Sequence, residues 1–172
     1  GHNGGGGGFS IDAFLDPASG YIVSSCTNMY QNSRAIAANY LNTALNHALQ
    51  PVQPPSWVKV YDKIDGMGID AFVADGKKHL KDLGLDMNPG LLATIGEVLE
   101  EAEDYSTWAK WMGYATAQYP EEARLLVLGG DSHVKVGNKE AARKYYEKAR
   151  TISSAKNNAW MPGVIDEKLK TL

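Results

Sequence analysis

The sequence predicts an α+β chain: an N-terminal antiparallel hairpin plus a helix, then an all-α region of paired helices. Three observations predict it. β-branched and aromatic residues concentrate in two short runs on either side of a Pro/Gly turn near the N-terminus. Charged side chains are sparse before a proline-rich stretch (only Asp12, Asp16 and Arg34) and frequent after it. From Pro89 onward, apolar and small residues recur at an offset of 34 positions.

The first strand covers residues 9–15, with Ile11, Ala13 and Leu15 on one face and Ser10, Asp12 and Phe14 on the other. Asp16-Pro17-Ala18-Ser19-Gly20 carries turn chemistry, because proline presets φ and glycine supplies a positive φ. Residues 21–27 form the return strand. Asn32-Ser33 then offers a helix N-cap. Ile36, Tyr40, Ala44 and His47 fall at helical spacing, as do Ala37, Leu41, Leu45 and Ala48, predicting a helix that covers one sheet face.

Pro51-Val52-Gln53-Pro54-Pro55 cannot continue a helix. It sets the expected organisation: residues 1–50 as one unit, 51–60 as a linker, and 61–172 as a helical domain. Trp57, Val58 and Val60 are expected in a short strand or connector. Ile69, Phe72, Val73, Leu80 and Leu83 predict an amphipathic helix before the repeats. Val164, Ile165, Leu169 and Leu172 predict a short one after Pro162-Gly163.

Between them, Leu92 pairs with Leu126, Gly96 with Gly130, Trp111 with Tyr145, Met112 with Tyr146 and Ala115 with Ala149. Small residues (Gly130, Ala142, Ala149) let antiparallel helices approach, while Leu126 and Tyr146 fill the space between them. Gly137 ends one helix and Asn138 caps the next. In the first copy Trp108 stands where Ala142 does, and Glu103 where Gly137 does. A 34-residue period with these types resembles the tetratricopeptide repeat. Pro120 fits its closing proline, and Ser154 replaces it in the second copy. Such arrays present their first helices along a concave face, here with Arg124, Val127, Asp131, Val134 and Lys135. Two basic side chains and one acid there read as solvated surface rather than a carboxylate clamp. A peptide or protein is the partner expected on that face.

Several function classes are excluded. A formal charge of -3 over 172 residues, with no Lys/Arg stripe, predicts no nucleic-acid partner. The longest apolar run is far shorter than a membrane span, so no membrane partner is expected and the chain reads as soluble. Cys26 has no partner for an intramolecular disulfide and reads as a buried small hydrophobe. His2, His47, His79 and His133 show no ligand spacing, and Glu100-Glu101-Ala102-Glu103-Asp104 lacks the pattern of a calcium loop, so neither metal nor other cofactor is predicted. No Gly-Lys-Ser/Thr follows the early glycines, which rules out a phosphate loop.

The chain opens Gly1-His2-Asn3-Gly4-Gly5-Gly6-Gly7-Gly8, a polar pair and glycines at the lip of a strand. With the hairpin and helix that follow, this resembles the end of the class C-type serine β-lactamase and penicillin-binding-related hydrolase domain. There a Lys- or His-x-Gly motif opens a strand, and a C-terminal helix closes the domain. The resemblance implies that His2, Asn3 and Gly4 occupy the third motif and face substrate, and that the Gly5 N–H contributes to an oxyanion hole. It implies a parent that hydrolyses an ester, amide or β-lactam through an acyl-serine, in the periplasm or outside the cell. The family's Ser-x-x-Lys nucleophile motif is missing in its required place. Ser153-Ser154-Ala155-Lys156 has the spacing but lies after the third motif, at the end of a repeat helix.

The expectation is therefore a C-terminal hydrolase fragment, inactive alone, whose partner is the missing N-terminal hydrolase portion. The alternative is a non-enzymatic helical-repeat interaction module. A hairpin with unpaired edges is further expected to associate with another copy, pack on the repeats or be poorly ordered.

Overall fold

The computed structural model describes residues 2–6, 9–27, 33–49, 51, 55–156 and 160–172. The chain divides into two compact units, Gly1–Lys59 and Val60–Leu172.

In the first unit, β1 (His2–Gly6), β2 (Phe9–Leu15) and β3 (Ile22–Thr27) form an antiparallel sheet in the order β1-β2-β3. The expected hairpin is β2–β3, with Leu15 opposite Ile22 and Ser10 opposite Thr27. A third strand joins it, placing Gly4 opposite Ile11. The turn closes as its residues require. The Asp16 carboxylate accepts the Ser19 N–H at 3.1 Å and the Ser19 hydroxyl at 2.5 Å, which holds its pKa below the ordinary value. Gly20 takes a φ of 76°.

Helix α1 (Ser33–Ala44) packs on one sheet face, and that face is the more polar one. The Ser33 hydroxyl donates to the buried Asp12 carboxylate. The Ser25 hydroxyl donates to the Ser33 carbonyl at 2.5 Å, and the Arg34 guanidinium lies 5.7 Å from the Phe14 ring centre. Buried polar groups of this kind are tolerated because each has a partner. The opposite face is left open, with Ile11, Leu15 and Ile22 exposed. Cys26 is also exposed, which corrects the expectation that it is buried. The proposed cap residue Asn32 lies outside the described residues, as do Gly7 and Gly8. The helix stops at Ala44, short of His47 and Ala48.

Among the described residues, the remaining elements are helices: α2 (Ser56–Met67), α3 (Ile69–Ala74), α4 (Gly76–Asp82), α5 (Pro89–Glu101), α6 (Tyr105–Gln118), α7 (Ala123–Lys135), α8 (Lys139–Ala155) and α9 (Met161–Lys170). Trp57, Val58 and Val60 lie in α2, so the strand or connector expected there is a helix. The single amphipathic helix expected over residues 69–83 is two helices that meet at Asp75, whose φ of -137° and ψ of 40° are not helical. Gly76 then begins α4 beneath the Tyr114 ring, where a Cβ would stand 2.6 Å from the ring carbon that bears the hydroxyl. None of the described helices is long and apolar enough to cross a membrane.

The 34-residue offset is exact at the level of backbone. Helices α5 and α7 start and end 34 residues apart, and the starts of α6 and α8 differ by the same interval. Asp104 caps α6 by accepting the Thr107 N–H at 3.2 Å; Asn138 caps α8 by accepting the Ala141 N–H at 3.1 Å. The core between the pairs holds Leu92, Leu99, Trp108, Trp111 and Met112, then Leu126, Ala142, Tyr146, Ala149 and Ile165. Burying each large side chain there contributes about 1.5–3 kcal/mol.

Candidate functional site

Helix α7 carries Arg124, Asp131 and Lys135 seven and then four residues apart. At 100° per residue these fall on one stripe. Side chains of α5, α6, α8 and α9 reach the stripe. Arg124 forms an ion pair with Glu97 of α5 at 2.5 Å. The Asp131 carboxylate accepts from Lys168 of α9 at 2.6 Å and from the Tyr146 hydroxyl of α8 at 2.6 Å. The Lys135 ammonium sits 5.1 Å from the centre of the Tyr105 ring, a cation–π distance. The three residues expected on the repeat face are thus brought together, and each is already engaged by a neighbouring helix.

This differs from the plain solvated surface expected there. Glu97 and Asp131 are themselves 34 residues apart, so equivalent acids on successive first helices each bind a cation of the following one. That equivalence was available in the sequence. Their cations were not, since Arg124 and Lys168 are not at equivalent positions. The Lys168–Asp131 pair is the better shielded of the two, and it is worth more than an exposed pair at ~0–1 kcal/mol.

Electrostatics on this face are strained at one carboxyl. Burial pushes Glu100 above its ordinary pKa, and the Asp131 carboxylate adds to the push, against the opposing Lys135 and Lys168. Glu100 is accordingly half-buried and not part of a fully solvated helix end. Tyr146 is raised too, by burial first and by donating its proton to Asp131 second. Between these charges the apolar surface is modest. Val127 packs into the core cluster, and Val134 is 42 % exposed at the C-terminal end of the stripe.

A second concavity, of 420 Å³, opens between α6 and α8 and was not anticipated from sequence. It is lined by Gly113, Ala117, Pro120 and Leu126 together with Lys144, Tyr145 and Lys148. Lys144 is paired with Glu140 at 2.6 Å, and the Tyr145 hydroxyl lies 3.3 Å from that of Thr116. Among the described residues, no group of three or more His, Cys, Asp or Glu could hold a metal ion.

His2, Asn3, Gly4 and Gly5 lie in β1, which pairs along its length with β2 as one edge of a three-stranded meander. Gly5 is opposite Ser10 in that ladder.

No family model matches the sequence, and no curated protein matches it. Among solved structures, the chain is similar to PcrH in a crystal structure described as PcrH in complex with the chaperone binding region of PopB. The identity is 15 % and the TM-score 0.46, over 69 % of this chain and 98 % of that one. These findings overturn the reading of the chain as a piece of a serine β-lactamase-related hydrolase. The physical reason for the misreading is that a polar pair followed by glycines also builds a plain edge strand, where glycine leaves room on both faces. The substrate-side roles implied for His2, Asn3, Gly4 and Gly5, and the missing hydrolase portion as partner, fall with that reading.

Proposed function

We propose that this chain is a helical-repeat interaction module that receives a peptide or extended segment of a partner protein on the face of α5, α7 and α9. The observation that carries the reading is the bracing of that face. Arg124, Asp131 and Lys168 hold three helices in fixed register by ion pairs, while Lys135 and Val134 remain at the surface. A rigid face loses little entropy when a partner binds, so modest contacts suffice for affinity. An aliphatic side chain beside Val134 and an acid near Lys135 are the partner chemistry this face favours.

The reading is tested by selecting binders to the full chain from a displayed random peptide library. The enriched peptides should lose at least tenfold in affinity with Val134→Asp and Lys135→Glu, and should bind Lys148→Glu unchanged. Peptides sensitive only to Lys148→Glu would move the site to the α6–α8 cleft and defeat the proposal.

A second reading concerns the first unit. The sheet ends on β3, whose outer side has no strand beside it among the described residues. This favours self-association of the chain through the hairpin.

A further inference from the structure

Strand β3 holds more than an open edge, because its hydrogen-bonding parity can be read. In the hairpin the Asp16 N–H donates to the Tyr21 carbonyl at 2.9 Å, so residues 16 and 21 are a hydrogen-bonded pair. Bonded and non-bonded pairs alternate along an antiparallel ladder. With Phe14 opposite Val23 and Asp12 opposite Ser25, the odd residues of β3 turn their N–H and C=O groups toward β2. Ile22, Ser24 and Cys26 therefore turn theirs outward.

Nothing in the strand blunts this edge. Ile22-Val23-Ser24-Ser25-Cys26-Thr27 contains no charge, no proline and no glycine, which are the devices that protect edge strands. A groove of 680 Å³ runs beside it, lined by all six residues of β3 with Ile36 and Tyr40 of α1, again without a charge. The other edge, β1, is largely glycine and forms a weaker template.

We infer that β3 pairs antiparallel with β3 of a second copy of this chain, with Ser24 opposite Ser24. The inference rests on the self-association reading above and adds its edge and register. An uncharged edge is electrostatically self-compatible, since pairing two copies sets no like charges opposite each other. A two-fold axis between antiparallel neighbours must run perpendicular to the sheet, so residues of equal parity face each other. Centring on Ser24 places Ile22 opposite Cys26 and satisfies every outward group from 22 to 26. It also joins the two open faces, so that Ile11, Leu15 and Ile22 of both copies form one continuous apolar surface.

The test uses the full chain. Light scattering should give a dimer, and Ser24→Lys, which sets two lysines face to face, should weaken it at least tenfold while leaving the circular dichroism unchanged. Directly opposed, hydrogen-bonded residues have Cα atoms about 5.5 Å apart, within disulfide reach. S24C/C26S should therefore oxidise to a covalent dimer, whereas S25C/C26S should not. A monomer at all concentrations would overturn both the self-association reading and this register. A dimer indifferent to Ser24→Lys, or cross-linked equally through position 25, would overturn the register and leave self-association standing.

Discussion

Glu103 and Gly137 stand 34 residues apart and share a left-handed backbone, with φ of 58° and 78°. Each follows the last turn of a first helix. The N–H after each reaches back five residues, Asp104 to the Leu99 carbonyl at 3.1 Å and Asn138 to the His133 carbonyl at 2.8 Å. This is the Schellman closure, which favours glycine. The first copy makes it with a glutamate.

Glu103→Gly should therefore stabilise the chain by about 1 kcal/mol, since a β-carbon in this region costs ~1–2 kcal/mol and glycine's extra unfolded-state freedom offsets part of the gain. Gly137→Ala should destabilise by a similar ~1 kcal/mol. Urea denaturation midpoints at constant slope check both, and equal midpoints for Glu103→Gly and the parent would remove the strain argument.

Gly96 and Gly130 are also equivalent, but their surroundings differ. A Cβ at Gly130 would stand 2.3 Å from a Tyr146 ring carbon, and one at Gly96 would stand 2.7 Å from the Met112 sulfur. The tyrosine ring is rigid and anchored through its hydroxyl to Asp131; the thioether can move. Gly130→Ala should cost about 1–3 kcal/mol, at the upper end of that range, and Gly96→Ala distinctly less. Thermal unfolding of the two variants orders them.

Asp12 is 8 % exposed and depends on the Ser33 hydroxyl. Ser33→Ala leaves the carboxylate short of a donor, at a cost of about 1–3 kcal/mol to the docking of α1 on the sheet. Hydrogen exchange of α1 amides should speed up accordingly, while α5 to α8 stay protected.

Glu100 and His133 give opposite pH dependences. Because the folded-state pKa of Glu100 is raised, folding binds extra protons just above 4.5, and stability from this group falls as pH rises through that window. Burial lowers the His133 pKa beneath 6.5, so its contribution is present above 6.5 and is lost as pH falls below it. Glu100→Gln should raise stability at neutral pH and flatten the acid side of the profile. His133→Phe should remove the loss just below pH 6.5. Denaturation midpoints measured across pH 4 to 8 distinguish the two groups.

The sequence carried the helical pairs well because their signals are local. Gly137-Asn138 is a stop followed by a cap, and the small residues Gly130, Ala142 and Ala149 could only serve close packing. The break at Asp75 was not legible, since Ile69 to Leu83 keeps an apolar spacing that suits one helix or two; the Tyr114 ring over Gly76 is a tertiary contact. The sheet was half legible. The alternation in residues 9–15 defines two faces but does not say which of them α1 covers. The Ser33–Asp12 bond draws the helix to the polar face. The glycines of β1 misled for a simpler reason: their composition is shared by catalytic lips and ordinary edge strands. On the candidate face, Arg124, Asp131 and Lys135 were found by helical spacing, whereas Glu97, Lys168 and Tyr105 reach them from other helices.

The most direct measurement is amide and methyl chemical-shift mapping of the full chain titrated with a peptide selected from the library. Shifts concentrated at Glu97, Val134, Lys135 and Lys168, with Gly113, Ala117 and Lys148 unmoved, are the predicted result. Shifts confined to the α6–α8 cleft, or the failure of any selected peptide to perturb α5, α7 and α9, would contradict it.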